Sequence, residues 1–131
     1  MDADEFVESF TERVFRSAIN VTISGLEVPS GRRPASDRLK ASAWFATLSD
    51  DDREMVRWVV AATAHAATFG ALAVIDGARP TGPYRYELIA VGMDGERSVV
   101  NPESGEDLHD TFQGIVMEPD GRLRTGAAPD L

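Results

Sequence analysis

The chain lacks cysteine, and it has few basic residues for its number of acidic ones. Without cysteine there is no disulfide, no thiolate zinc site and no cysteine nucleophile. Its 13 Lys and Arg residues against 22 Asp and Glu residues give a formal charge of −9. That is the wrong sign for a protein that neutralises phosphates, so we do not expect nucleic acid as a partner.

The chain also lacks the short motifs of several common enzyme classes. It contains no Gly-x-Ser-x-Gly, no Gly-x-x-x-x-Gly-Lys-Ser/Thr, no Gly-x-Gly-x-x-Gly and no His-Glu-x-x-His. Serine-triad hydrolysis, P-loop nucleotide binding and Rossmann cofactor binding therefore lose their usual support. We expect no cofactor, and we favour a protein that is not an enzyme.

Length and composition are typical of one soluble globular domain over residues 1–131, with 43% hydrophobic and 27% charged residues. Three of the first five residues are acidic where a signal peptide would be basic and then apolar, which predicts a cytoplasmic protein. The apolar stretch 59–75 contains His65 and is shorter than the roughly 20 residues that a bilayer requires. We expect this stretch to be a helix buried on most sides in a soluble core, not a membrane span.

Three helices are predicted in the first part of the chain, at about 4–24, 36–48 and 50–75. Asp2, Ser36 and Ser49 are the predicted N-caps, and Gly25 and Gly77 are the predicted ends of the first and third helices. Apolar residues in the first helix recur at steps of three and four, which predicts one buried stripe. This stripe consists of Phe6, Val7, Phe10, Val14, Ala18 and Val21.

The rest of the chain predicts a small antiparallel sheet. Residues 84–92 and 96–100 flank Met93-Asp94-Gly95, and the Asp-Gly pair favours a tight hairpin turn. A short helix is predicted near 105–113, ended by Gly114, and a weaker second hairpin is predicted from residues 115–118 and 122–125. The fold class is therefore α+β, with three N-terminal helices packed on the sheet.

Four residues are candidates for a ligand site: Asp76, Arg79, His109 and Asp110. Asp76 and Arg79 follow the apolar helix, where they either bind a polar ligand or hold the turn by hydrogen bonds. With His65, the His109-Asp110 pair is similar to part of the metal site of HD phosphohydrolases. A predicted hairpin separates His65 from that pair, so we predict no metal site. A small enzyme, or a binder of a small molecule or metal, using the four candidates is the alternative function.

Acidic charge is concentrated in two segments. Residues 1–12 contain five acidic residues and no base, and residues 94–110 contain six acidic residues and one arginine. On one side of the fold these segments would attract a basic partner, whereas apart they would only keep the protein soluble. We predict a protein-binding module, immunity- or antitoxin-like, for a basic protein. The candidate contacts are Asp2, Asp4, Glu5, Glu8, Glu12, Glu103, Glu106 and Asp107.

A homodimer through an exposed sheet edge or an apolar helix face is a further alternative. Three short motifs also resemble those of a bacterial family of small domains without a known activity. They are Trp44-Phe45-Ala46-Thr47-Leu48-Ser49, Ile75-Asp76-Gly77-Ala78-Arg79 and Leu108-His109-Asp110, with Ile75 in place of the usual Leu. The resemblance implies a compact bacterial domain, and it transfers no catalytic residue.

Overall fold

The structure is a computed structural model that describes residues 1–124. In this part of the chain, five α-helices accompany one two-stranded antiparallel sheet, which confirms the α+β class. The helices are α1 (Ala3–Phe10), α2 (Ser17–Glu27), α3 (Ser36–Ala46), α4 (Asp50–Asp76) and α5 (Leu108–Val116). A π-helical segment (Thr11–Arg16) joins α1 to α2, and the strands are β1 (Ile89–Val91) and β2 (Arg97–Val99).

The N-terminal caps of α1 and α4 follow the sequence prediction. Asp2 accepts a hydrogen bond from the backbone N–H of Glu5 at 2.8 Å, and Glu5 accepts one from the backbone N–H of Asp2 at 2.9 Å. Ser49 accepts a hydrogen bond from a backbone N–H in the first turn of α4 at 3.2 Å. The predicted cap at Ser36 is wrong, because Ser36 is already helical and the residue before it makes no side-chain cap bond.

The π-helical segment changes which face of the first helical run is buried. Four residues of α-helix turn by about 400°, so a four-residue repeat drifts by about 40° at each step. The wider π-helical turns offset this drift. The run therefore buries residues at regular four-residue steps, namely Val7, Thr11, Phe15, Ile19 and Ile23. The predicted stripe is wrong beyond Phe10, since Val14, Ala18 and Val21 are exposed.

Two glycines that the sequence predicts as helix ends lie inside helices. Gly25 precedes the last two residues of α2, and Gly114 precedes the last two residues of α5. Neither glycine has a positive φ. In each case an apolar residue beyond the glycine, Leu26 or Val116, packs in the core and holds the last turn. Gly77, in contrast, has a φ of +83° and ends α4 as predicted.

Helix α4 is far more exposed than we expect from its apolar sequence. It is long and apolar enough to cross a membrane by length and composition alone, and 22% of its most apolar window is buried. Met55, Trp58 and Val59 are each at least half exposed. The expectation of a helix buried on most sides is therefore wrong. Only α2, the π-helical segment and α5 pack extensively on α4 in the described part of the chain, and they cover it incompletely.

The hairpin forms at the predicted place, but its strands are shorter than predicted. Strand β1 pairs with β2 in the register Ile89↔Val99, Ala90↔Ser98 and Val91↔Arg97, and Gly95 turns the chain with a φ of +86°. The predicted strand over 84–88 is not formed, because the side chain of Asn101 forms hydrogen bonds with backbone groups of this segment. It accepts from the N–H of Leu88 at 2.7 Å and donates to the carbonyl of Tyr86 at 3.1 Å.

The segment after the hairpin differs most from the prediction. The short helix predicted near 105–113 forms as α5, but it begins at Leu108 and runs on to Val116, so it takes in part of the strand predicted over 115–118. The predicted second hairpin is reduced to one bridge between Met117 and Leu123. Residue 125 of its return strand lies outside the described residues. The reason is that Leu108, Phe112 and Val116 share the core-facing side of a helix.

Candidate binding site

Asp76 joins the end of α4 to the beginning of α5. Its side chain is 2% exposed, and its Oδ2 accepts two hydrogen bonds. One comes from the backbone N–H of His109 at 2.8 Å, and the other joins Nδ1 of His109 at 2.7 Å. The first turn of a helix leaves backbone N–H groups unpaired, and Asp107, the N-cap of α5, makes no side-chain cap bond. Asp76 therefore replaces the missing local cap from a distant part of the chain.

The ring of His109 is fixed in orientation by this contact. Because a carboxylate can only accept, Nδ1 is the donor to Asp76. The other ring nitrogen, Nε2, lies 3.5 Å from Oδ1 of Asp110, an exposed side chain. Phe69 of α4 contacts the ring edge to face, with centroids 5.2 Å apart. His109 thus presents Nε2 beside an acidic surface while Nδ1 faces the interior.

A small cavity of about 190 Å³ adjoins Asp76. Both hydrogen bonds that Asp76 makes within the described part of the chain use its Oδ2. Four of the described lining residues are acidic and one is basic. The lining consists of Asp76, Arg85, Tyr86, Asn101, Pro102, Glu103, Glu106 and Asp107. Arg85 is paired with Glu103 at 2.7 Å, which leaves the cavity with an excess of negative charge. We call this cavity the acidic cavity.

Asn101 connects the acidic cavity to the rest of the fold. Besides its bonds in the hairpin region, its side-chain N–H donates to the carbonyl of Ile75 at 3.3 Å, the residue before Asp76. Asn101 thereby holds together the end of α4, the segment before β1 and the loop after β2. Asn101, Arg85 and Tyr86 were not predicted as site residues. Asn101-Pro102 after a strand was the available signal, because an asparagine there can bond to nearby backbone.

The four ligand-site candidates are not all brought together. Asp76, His109 and Asp110 are neighbours, as described above. Arg79 is not part of this group, because its guanidinium lies over the ring of Phe69, 5.8 Å from the centroid. Asp107, His109 and Asp110 each offer one ligand atom within 4.8 Å of the others, so these three residues could hold a metal ion.

The predicted contacts for a basic partner fall into two places. Glu103, Glu106 and Asp107 line the acidic cavity. The five acidic residues of the first segment lie on or beside α1 and the π-helical segment, where Glu12 pairs with Arg16. The N-terminal amine lies 3.5 Å from Oγ of Ser98 in β2, so the first segment begins beside the hairpin of the second.

His65 lies apart from the acidic residues. Its Nε2 is 2.8 Å from Oε1 of Gln113, and its ring stacks on Phe69 and Phe112. This environment is that of a packed helix residue with a satisfied ring nitrogen. His65 therefore contributes no ligand atom to the group around His109.

No protein-family model, no curated protein and no solved structure matches this chain. The geometry of the site is therefore the basis for a function.

Proposed function

We propose that the protein is a binding module for a basic protein partner and that the acidic cavity receives a Lys or Arg side chain of that partner. The single observation that carries the proposal is the convergence of buried Asp76 with Glu103, Glu106 and Asp107 around about 190 Å³. These residues come from the end of α4 and from the second acidic segment. A cationic group is the ligand that four carboxylates and one paired arginine favour.

The size of the cavity favours a side chain over a free cofactor. Pockets for drug-sized ligands span roughly 300–1,000 Å³, and the acidic cavity is smaller. A guanidinium or ammonium group on a partner's surface is much smaller than such a ligand and needs less space than a drug-sized pocket. Asp76 adds strength to such a contact, because a carboxylate shielded from water attracts a cation more than an exposed one does. Tyr86, 41% exposed at the rim, provides an aromatic face for a guanidinium.

The formal charge of −9 supports the same proposal at longer range. A field of one sign raises the encounter rate with a partner of opposite sign, and the effect decreases with salt. The first acidic segment would contribute to this attraction without forming the cavity. We propose a cytoplasmic setting for the encounter.

The test is affinity capture from a lysate of the native host with two variants of equal charge. The cavity variant combines Glu103→Gln, Glu106→Gln and Asp107→Asn. The control variant neutralises three exposed acids elsewhere, Asp37, Asp51 and Asp52, to asparagine. We expect one basic protein, identified by mass spectrometry, to be retained by the wild type and the control, and lost from the cavity variant. It should be released at roughly 0.5 M salt, where surface attraction is screened.

Equal retention on both variants would contradict the role of the cavity, and retention of no basic protein would contradict the function. The retained protein should then be purified and titrated against each variant by calorimetry. We expect the cavity variant to bind at least about tenfold more weakly than the control, because it loses contacts to a shielded charge.

Divalent metal binding is a second candidate, favoured by the arrangement of Asp107, His109 and Asp110. A carboxylate that orients a histidine through its second ring nitrogen is common behind metal ligands, and Asp76 has this position. Titration with Zn²⁺, followed by the NMR signal of His109 Nε2, tests this function. A shift that saturates in the wild type and is lost in Asp110→Asn would support metal binding. An unchanged signal would exclude it.

A further inference from the structure

A second and larger cavity lies on another part of the molecule. It has a volume of about 600 Å³, within the range of roughly 300–1,000 Å³ for small-molecule pockets. Its walls come from α4, from the first helical run (the π-helical segment and α2) and from the segment after α5. The apolar wall consists of Phe15, Ile19, Trp58, Ala61, Ala62, Met117 and Leu123, with His65 beside it. The π-helical segment contributes Phe15, which it turns to the buried side of the run. We call this cavity the arginine cavity.

The charge of its lining is opposite to that of the chain. Arg57, Arg122 and Arg124 line the cavity, and Glu54 is the one acidic residue among the described lining residues. The described lining residues therefore carry a net positive charge in a chain of formal charge −9, and the acids that pair with them from outside the lining are Glu27, Glu118 and Asp120.

The arginines keep hydrogen-bonding capacity for a ligand. Arg122 pairs with Asp120 at 2.7 Å on the exposed surface, and Arg124 pairs with Glu118 at 3.2 Å in a part-buried position. The exposed pair of Arg122 is weak, and each of the two pairs uses only part of the five N–H donors of a guanidinium. Arg57 pairs with Glu54 at 2.8 Å and with Glu27 at 3.6 Å, and its Nε is buried without a hydrogen-bond partner in the described residues. Donors at the edge of an apolar cavity favour a ligand with one anionic group.

We propose that the arginine cavity binds a small amphipathic anion, namely an aromatic ring that carries a carboxylate. The ring would lie against Trp58 and Phe15, and the carboxylate would accept hydrogen bonds from Arg122 and Arg124. Arginine and carboxylate form paired hydrogen bonds, and these gain strength next to an apolar wall. The site differs from the acidic cavity in position and in the sign of its ligand, so it stands independently of the function proposed above.

The test compares two probes that differ in charge, 2-naphthoate and 2-naphthamide, by calorimetry and by the NMR signal of the Trp58 indole N–H. We expect 2-naphthoate to bind and to shift this signal. The neutral amide should bind at least about tenfold more weakly, because it cannot form a charged pair with arginine. Arg122→Gln and Arg124→Gln should each weaken 2-naphthoate by roughly fivefold and leave the amide unchanged.

Arg97→Gln is the matched control, since it removes one exposed positive charge from β2, away from the cavity lining. We expect it to leave both affinities unchanged. Equal binding of the two probes would overturn the proposal, as would absence of 2-naphthoate binding. An equal loss in the control would also overturn it, because the attraction would then come from net charge alone. The comparison of probes on the wild type stays decisive if a variant fails to fold.

Discussion

Asp76 carries several roles through one carboxylate. It is the last residue of α4, it caps α5 through the N–H of His109, and it fixes the ring of His109. Its burial makes these contacts strong, because a buried donor that loses its acceptor pays the full cost of desolvation. Asp110, in contrast, is exposed at 61% and faces the other ring nitrogen at 3.5 Å. Removing the side chain of Asp76 should therefore lower stability much more than removing that of Asp110.

We expect Asp76→Ala to lower the free energy of unfolding by about 2–4 kcal/mol, because it leaves a buried N–H and a buried ring nitrogen unpaired. Asp110→Ala should cost less than about 0.5 kcal/mol, since exposed pairs contribute little. Urea unfolding of both variants at one pH measures the difference. Equal losses would show that the buried contact has no special weight.

Asn101 offers a second test at this scale, because its amide both accepts and donates. Asn101→Asp keeps the shape and the acceptor for the N–H of Leu88, but it sets oxygen against the carbonyls of Ile75 and Tyr86. We expect a loss of at least about 2 kcal/mol in the free energy of unfolding. Asp94→Asn, at the exposed hairpin turn, is the control and should change stability by less than about 0.5 kcal/mol. A tolerated Asn101→Asp would mean that the region before β1 is held by other contacts.

The secondary-structure elements show which patterns the sequence could predict. The caps at Asp2 and Ser49 and the Asp-Gly turn were predicted correctly, because each depends on residues within one or two turns. The face of the first helical run could not be predicted, since the π-helical segment moves burial from Val14 and Val21 to other positions. A periodicity measured for an ideal α-helix does not contain this shift.

The candidate site was predictable only in part, for a related reason. Asp76 and His109 were both recognised, but their contact spans 33 residues and depends on how α5 packs against the end of α4. Arg79 lies next to Asp76 in sequence and still turns away to cover Phe69. Asn101 was not predicted as a site residue. Short motifs identify reactive residue types, whereas tertiary packing decides which of them meet.

Substitution of Gly25 and Gly114 tests whether these glycines lie inside their helices or end them, because the change in stability has opposite signs in the two cases. A Cβ at Gly25 or Gly114 would meet no atom within 4 Å, and both have helical backbones. We expect Gly25→Ala and Gly114→Ala each to stabilise the fold by about 0.5–1 kcal/mol, because alanine loses less backbone freedom on folding. If either glycine ended its helix with a positive φ, the same change would destabilise. Gly77→Ala is the control with a φ of +83°, and it should cost about 1 kcal/mol. Thermal unfolding of the three variants measures these signs.

The acidic surplus of the chain and its surface ion pairs act on stability in opposite directions. The residue pairs at the surface include Arg85 with Glu103 and Arg16 with Glu12, and the acidic partner in each is more than half exposed. Such pairs contribute about 0–1 kcal/mol each, and salt weakens them. Repulsion among 22 acidic residues opposed by 13 basic ones acts over the whole surface, and salt weakens this repulsion too. The two effects of salt on stability have opposite signs.

We expect the repulsion to dominate, so that Tm rises by roughly 3 °C between about 0.01 and 0.15 M NaCl, equivalent to about 1 kcal/mol. Over this range the screening length falls from about 30 Å to about 8 Å, which removes repulsion between distant charges and leaves contacts at hydrogen-bond distance largely intact. The control is the same titration near the pI of about 4.6, where the net charge is close to zero and Tm should change by less than about 1 °C. A fall of Tm at neutral pH would mean that the surface pairs outweigh the repulsion. The two acidic segments would then be internally compensated, which would weaken the long-range attraction proposed for a basic partner.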